Sequence, residues 1–491
     1  MVWSYILLGI FVVILLSIGI VGMKKSQSLD GFLFGGKSVG PWISAFSYGT
    51  AYFSAVLFIG YAGKSGWVYG LSSVWIGIGN ALIGCLTAWL LFAKKTRLAT
   101  QKMDAKTMPD YFAKRYDSEK MKIVSAVIIF IFLIPYTASV YVGLGFLFET
   151  VLHIPYVYCM MFMAIMTALY LSMGGYFTSS ITDFVQGIIM IAGVILMVFF
   201  VVHSEPVGGL RTGAQRLAEI DSQLVSVFGG EGWYGLFCLM FLSSVGALAL
   251  PQMVHKFYAI RDEKAIRSAT VISTIFSLII GAGAYFTGSF GRLFFEQVPN
   301  NNYDNIMPLL LQSALPEFVL ALILLLVLSA SMSTLSSLVL SSSSTVTIDL
   351  IQGRLKKNMR QRNVVITMRI LCVVFVALSF VVAYFPNPIL MLMSFSWGAI
   401  AGAFLGPYAC GILYKGTTKA GAWTGMLGGL GIALVLMIGS GFNAARSPEF
   451  GMYAMVGSVV LTLVVSLFTK KFDETHIKNV MPYGVREAKE K

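Results

Sequence analysis

Charge is scarce in this chain of 491 residues, where Asp, Glu, Lys and Arg together make up 12%. Histidine and cysteine are scarcer still, at four and five. His153, His203, His255 and His476 are scattered, with no pair at helical ligand spacing. Cys85, Cys159, Cys238, Cys372 and Cys410 fall in or beside apolar stretches and read as small buried hydrophobes. These shortages leave no catalytic cluster, so no metal-dependent or nucleophilic enzyme is expected. Long polar stretches are also missing. The longest non-membrane segments are 94–121, 203–232, 291–313 and the tail from Lys470, so no appended soluble domain is expected.

Apolar sequence is abundant, with 57% hydrophobic residues and a mean hydropathy of +0.80. A hydrocarbon layer about 30 Å thick needs about 20 apolar residues per helix, and the chain supplies about thirteen such stretches. They lie near 3–22, 41–65, 70–93, 122–148, 155–173, 180–202, 233–254, 269–290, 314–347, 365–385, 388–413, 420–440 and 450–468. The expected class is an all-α polytopic membrane protein. Its first span lacks the basic start and small-residue cleavage site of a secretion signal and is followed by Lys24-Lys25, so it reads as a retained helix.

The net charge is +13, and the basic residues cluster in alternate loops: Lys94–Lys122, Lys256–Arg267, Arg354–Arg362 and Lys470–Lys491. Under the positive-inside rule these loops face the cytoplasm, which puts the N-terminus outside and the C-terminus inside. No charge is left over to recruit nucleic acid. In the first basic loop, Thr107-Met108-Pro109-Asp110 has the cap, early proline and first-turn acid of a helix start, an elbow along the membrane surface. Arg369, near an inner end, reads as a snorkelling side chain.

Helices interrupted in lipid must line a cavity or coordinate something. Gly49, Gly60 and Gly63 interrupt the second span, and Gly246 and Pro251 the seventh. Five helices apart and running in opposite directions, these two spans are what an inverted repeat with helices broken at the midplane leaves in a sequence.

The run 329–337 and Ser341 to Ser344 place hydroxyls inside an apolar span. Ser329, Ser333, Ser336 and Ser337 share one helix face, with Ala330, Thr334 and Ser341 beside it. Isolated serines at such spacing make a tight helix contact. At this density the pattern favours a cation site. Sodium prefers oxygen ligands, and the interrupted segment 47–53 can offer the carbonyls of Thr50 and Phe53 to Ser333 and Thr334 as a neutral five-oxygen cage. Asp183, a carboxylate on an otherwise apolar helix, reads equally as an N-terminal helix acid or as part of a second cation site with Ser336 and Ser337. Tyr52, Phe53, Tyr136, Tyr141, Ser243, Gln252 and Trp397 are the candidate solute contacts, although aromatics in membrane helices more often pack or anchor. No intramembrane Lys or Arg is expected to meet an anionic solute, which leaves a helix N-terminus or a bound sodium for that task.

The stretches TMPDYFAKRY (107–116), SMGGYFTSSITDFVQGIIM (172–190), LPQMVHKFYAIRD (250–262), SASMSTLSSLVLSSSS (329–344) and GPYACGILYKGTTKAGAWTGM (406–426) resemble the sodium/solute symporters. That family includes bacterial sodium/proline, pantothenate, acetate and sialic acid carriers, and the resemblance covers nearly the whole chain. It implies a leucine-transporter-type repeat of five plus five helices, here 41–202 and 233–414 joined by an outer loop 203–232. An extra helix and inner loop (1–40) precede it; two helices (415–469) and a cytoplasmic tail (470–491) follow. It implies a first sodium held by the Thr50, Phe53 and Ala330 carbonyls and the Ser333 and Thr334 hydroxyls, and a second at Asp183, Ser336 and Ser337. The solute site it implies takes in Tyr52, Val56, Gly60, Tyr136, Ser243, Gln252 and Trp397. The chain departs from the proline carriers at Tyr52, Val56 and Ser243 and keeps Gly60 and Tyr136, while Leu250-Pro251-Gln252 resembles the pantothenate and acetate branch. The expected function is sodium-coupled import of a small polar solute, an amino acid such as proline or a pantothenate-like acid, across a bacterial plasma membrane without an obligatory protein partner. The competing expectations are a sugar or sialic acid symporter and a non-accumulating sensor.

Overall fold

The computed structural model describes residues 2–25, 28–35, 39–355, 359–385 and 388–484. Among these residues the chain is nearly all helical, and one isolated parallel bridge joins Val39 to Ile260. The principal helices are α1 (Val2–Lys25), α2 (Pro41–Tyr52), α3 (Val56–Met103), α4 (Glu119–Leu152), α5 (Tyr156–Val202), α6 (Trp233–Gly246), α7 (Pro251–Tyr258), α8 (Glu263–Gly288), α9 (Glu317–Thr345), α10 (Gln361–Tyr384), α11 (Ile389–Leu413), α12 (Lys419–Gly439) and α13 (Ser447–Phe468). Eleven helical runs among the described residues are long and apolar enough to cross a bilayer. Two of them turn internally. The run α5 has 47 residues, about 70 Å at 1.5 Å per residue if straight, and bends at Gly175, whose φ of 55° is left-handed. In α3 the same device appears at Gly70, with φ 56°.

Both helix interruptions exist, but glycine does not make the first one. The α2 helix stops at Tyr52, Phe53 is extended (φ −112°, ψ 130°), and the Ser54 hydroxyl accepts the Val56 N–H at 3.2 Å to start α3. A π-helical turn over Val56–Tyr61 follows, a form that recurs at functional sites. The three glycines serve close packing instead. A Cβ would meet the Phe276 ring at 2.4 Å from Gly49, Ile389 at 2.6 Å from Gly60 and Met307 at 3.2 Å from Gly63. The second interruption is proline's. Leu250 is extended (φ −72°, ψ 128°), as a residue before proline tends to be, and Pro251 opens α7 at the position where its missing N–H is harmless.

The bundle inverts the polarity of a soluble protein. On the outer helix α1, Val2, Ile6, Ile10 and Val13 are exposed to where lipid would lie, whereas α9 is buried along nearly its whole length with its serines inside. Thr107 caps the loop helix Met108–Arg115 by accepting the Asp110 N–H at 3.1 Å. Its residues Met108, Tyr111, Phe112 and Arg115 are buried against the bundle. Thr107 also donates to Asp349 at 2.7 Å, and Lys122 reaches Asp110 at 2.9 Å and Asp349 at 3.5 Å. Burial opposes ionisation of Asp110, yet Lys122 and Lys114 together hold its carboxyl below the usual range.

Candidate functional site

Where α2 ends, its last carbonyls have no helical partner, and α9 meets them with hydroxyls. The Ser333 Oγ lies 3.0 Å from the Thr50 carbonyl oxygen and 3.0 Å from that of Ala330. The Thr334 Oγ1 lies 3.2 Å from the oxygen of Phe53, 3.3 Å from that of Ala51 and 3.4 Å from that of Thr50. The structure therefore brings Thr50, Phe53, Ala330, Ser333 and Thr334 together and adds Ala51, which sequence reasoning had not named. All six are buried. Two hydroxyl protons face four carbonyl oxygens, so lone pairs outnumber donors in a dry pocket. A small hard cation is the natural complement to such a set.

The second candidate set is arranged differently. Asp183 is fully buried on α5, and its Oδ2 accepts from Ser47 at 2.6 Å and from the Lys256 ammonium at 3.2 Å. The same ammonium donates to the Ser47 Oγ at 2.7 Å. Ser336 instead lies 2.9 Å from the Ser179 Oγ and donates to the Ser333 carbonyl at 2.9 Å, and Ser337 donates to that carbonyl at 3.1 Å. Lys256, counted from the sequence with the basic loop Lys256–Arg267, is instead buried and paired with Asp183. Read as a loop charge, it belongs to α7, which resumes at Pro251 and carries residue 256 into the interior with 3% of its surface exposed.

A small cavity adjoins the cation cluster, lined by Tyr52, Phe53, Ser54, Leu57, Tyr61, Asn80, Ser243, Tyr285, Met393 and Trp397. Phe53 serves both sites, with its carbonyl toward Thr334 and its side chain in the cavity wall. Tyr52 donates to the Ser243 carbonyl at 2.7 Å, and the Ser243 hydroxyl donates to Asn80 Oδ1 at 2.8 Å. Tyr136 stands behind Trp397, ring centroids 5.7 Å apart and edge to face. Of the other expected solute contacts, Val56 and Gly60 are buried behind the wall, and Gln252 sits on α7 with both amide atoms unpartnered among the described residues. Asn80, Tyr61, Tyr285, Ser54, Leu57 and Met393 were not anticipated. Asn80, the one amide in the apolar stretch 74–93, was the readable clue.

About one helical turn along the same walls, Lys64, Leu239 and Leu390 line a second pocket with Arg446 and Glu449, which pair at 2.9 Å. Beside it, Asp304 is buried in the turn Tyr303–Asn305 and accepts the Ile389 N–H at 3.2 Å, pinning the start of α11. Burial, only partly offset by that hydrogen bond and by Lys64, pushes the Asp304 carboxyl up to about 6. The folded chain thus holds a proton that the unfolded chain has already lost between about pH 4 and 6, so stability falls as pH rises through that window and the deficit persists above it. Asp304→Asn keeps the acceptor and removes the deficit. It is expected to melt a few degrees above the unsubstituted protein at pH 7.5 and level with it at pH 4.5. Thermal melts at the two pH values check this, and an equal gain at both would contradict it.

The profile of the family described as sodium:solute symporter family matches residues 32–429, and the chain belongs to that family. Sodium/proline symporter 2 of Staphylococcus saprophyticus is 30% identical over 484 residues, covering 95% of this chain and 93% of that protein. The sodium/proline symporter of Staphylococcus aureus is 30% identical over 496 residues, covering 97% and 95%. Among solved structures, a Na+-coupled sialic acid symporter in a substrate-bound outward-open state superposes with a TM-score of 0.79 at 16% identity, covering 96% of this chain and 99% of that one. Mhp1, a nucleobase-cation-symport-1 family transporter, superposes with a TM-score of 0.56 at 13% identity, covering 93% and 98%. The leucine-transporter-type fold follows from these likenesses, and membership of the family makes the chain a sodium-coupled symporter of a small solute.

Proposed function

We propose that the solute is a small zwitterionic amino or imino acid of the proline class, carried inward with sodium across a bacterial plasma membrane, and that the chain is a carrier rather than an enzyme. The observation that carries this reading is an aromatic-walled cavity, free of charged side chains, sharing Phe53 with the cation cluster. An apolar ring packs against Tyr52 and Trp397. A carboxylate finds the positive end of α3 at Ser54–Val56 and the neighbouring sodium, while the Ser243 and Tyr61 hydroxyl oxygens offer acceptors to an amine. The two Staphylococcus relatives named as sodium/proline symporters support the same class.

Sodium held by Thr50, Ala51, Phe53, Ala330, Ser333 and Thr334 ties the ends of α2 to α9. Alternating exposure of cavity and cation to the two sides then couples their movements. A membrane potential supplies about 2.3 kcal/mol per charge per 100 mV, enough for tens-fold accumulation before any concentration term. With the purified protein in proteoliposomes, an inward sodium gradient is expected to drive uptake of labelled proline above that of pantothenate, acetate, glucose and sialic acid. Uptake unchanged when choline replaces sodium would refute the coupling. Preference for another of these solutes would refute the solute class.

A further inference from the structure

The buried lysine has a consequence for how many sodium ions the protein binds. We infer that Lys256 is a tethered cation that fills the second cation position, beside Asp183, so that the chain binds one sodium and not two. This inference rests on the sodium-coupled reading above.

A carboxylate taken fully out of water requires a positive partner. For Asp183 that partner is built into the chain: the Lys256 ammonium stands 3.2 Å away, and Ser47 closes the triangle at 2.6 and 2.7 Å. The ammonium also lies 5.3 Å from the Tyr176 ring centroid, within cation–π range. The Ser336 and Ser337 hydroxyls, which a sodium here would need, are turned to Ser179 and to the Ser333 carbonyl. Charge in the pocket already sums to zero, so an additional sodium would meet an ammonium at contact distance. Such repulsion is severe where the dielectric is low.

The two kinds of cation differ in what they do for transport. Sodium dissociates and can draw on its gradient; an ammonium on a four-carbon stem cannot leave. It holds α5, α7 and α2 together at one point. A vacancy would open only if the lysine were removed. The Asp183 Oδ1 is buried and has no hydrogen-bond partner among the described residues, so a carboxylate with a spare oxygen beside the Ser47 hydroxyl would then be left for a mobile ion.

The test is equilibrium binding of 22Na+ to the purified full chain in detergent at pH 8, counted per protein. One sodium is expected for the unsubstituted protein, two for Lys256→Met, and one again for Lys256→Met combined with Asp183→Asn. Lys256→Met is also expected to melt lower in potassium chloride than in sodium chloride, by a wider margin than the unsubstituted protein. Two ions in the unsubstituted protein would overturn this inference alone, as would a count of one in folded Lys256→Met. No ion in the unsubstituted protein would overturn the symport reading as well. The first count needs no substitution, so the inference stays falsifiable if Lys256→Met does not fold.

Discussion

Ser333→Ala combined with Thr334→Val is expected to weaken sodium binding by about thirtyfold or more and to abolish sodium-stimulated uptake. Each substitution deletes a buried oxygen that has no substitute nearby. Losing one hydrogen-bonding or ligating group in a dry site costs about 1–3 kcal/mol, and about 1.4 kcal/mol is a factor of ten in affinity. The change also strands the carbonyls of Thr50, Ala51 and Phe53, which the two hydroxyls approach at 3.0–3.4 Å. Valine matches threonine in shape, so packing is retained and the loss is chemical. Sodium titration of uptake and of 22Na+ binding measures it. A double variant with unaltered sodium dependence would remove the cation site from this position.

Gly66→Ala is expected to prevent recovery of folded protein. A Cβ at Gly66 would lie 2.0 Å from the Gly288 carbonyl oxygen and 2.5 Å from the Ser289 nitrogen, while one at Gly288 would lie 2.1 Å from the Ala62 oxygen. Here α3 and α8 cross backbone against backbone, and no rotamer change can make room. Overpacking a well-filled interior typically costs about 1–3 kcal/mol, and more where only main chain can yield. Gly431→Ala is the matched control, because nothing lies within 4 Å of its added methyl. Size-exclusion profiles and melting temperatures of the two variants distinguish a contact effect from a general intolerance of glycine replacement.

The convergence of hydroxyls and carbonyls at the candidate cation site was legible in the sequence because hydroxyls crowd onto one face of an apolar helix, and because a break in a membrane helix must free carbonyls. The position of the first break was not. Glycine marks both broken helices and closely packed ones, and at 49, 60 and 63 it marks packing. Pro251 was a better guide, since proline acts on its own backbone and on the residue before it. The lining of the small candidate solute cavity was only half readable. Tyr52, Ser243 and Trp397 lie on or near the broken helices or in a conspicuous aromatic position, whereas Asn80, Tyr61 and Tyr285 join them by tertiary packing, which leaves no periodic trace. Lys256 was misplaced for a related reason. Loop-charge counting assigns a lysine to water unless something shows that the helix continues beneath it, and its partner Asp183 lies 73 residues away.

The bridge between Val39 and Ile260 has a mechanical meaning. Val39 immediately precedes α2 and Ile260 closely follows α7, and the Val39 carbonyl also accepts the Arg261 N–H at 3.4 Å. Arg97, at the far end of α3, grips the Ile260 and Arg261 carbonyls at 2.8 and 2.6 Å. The two short helices are therefore tied to each other at one end, and a side chain of α3 holds the same tie.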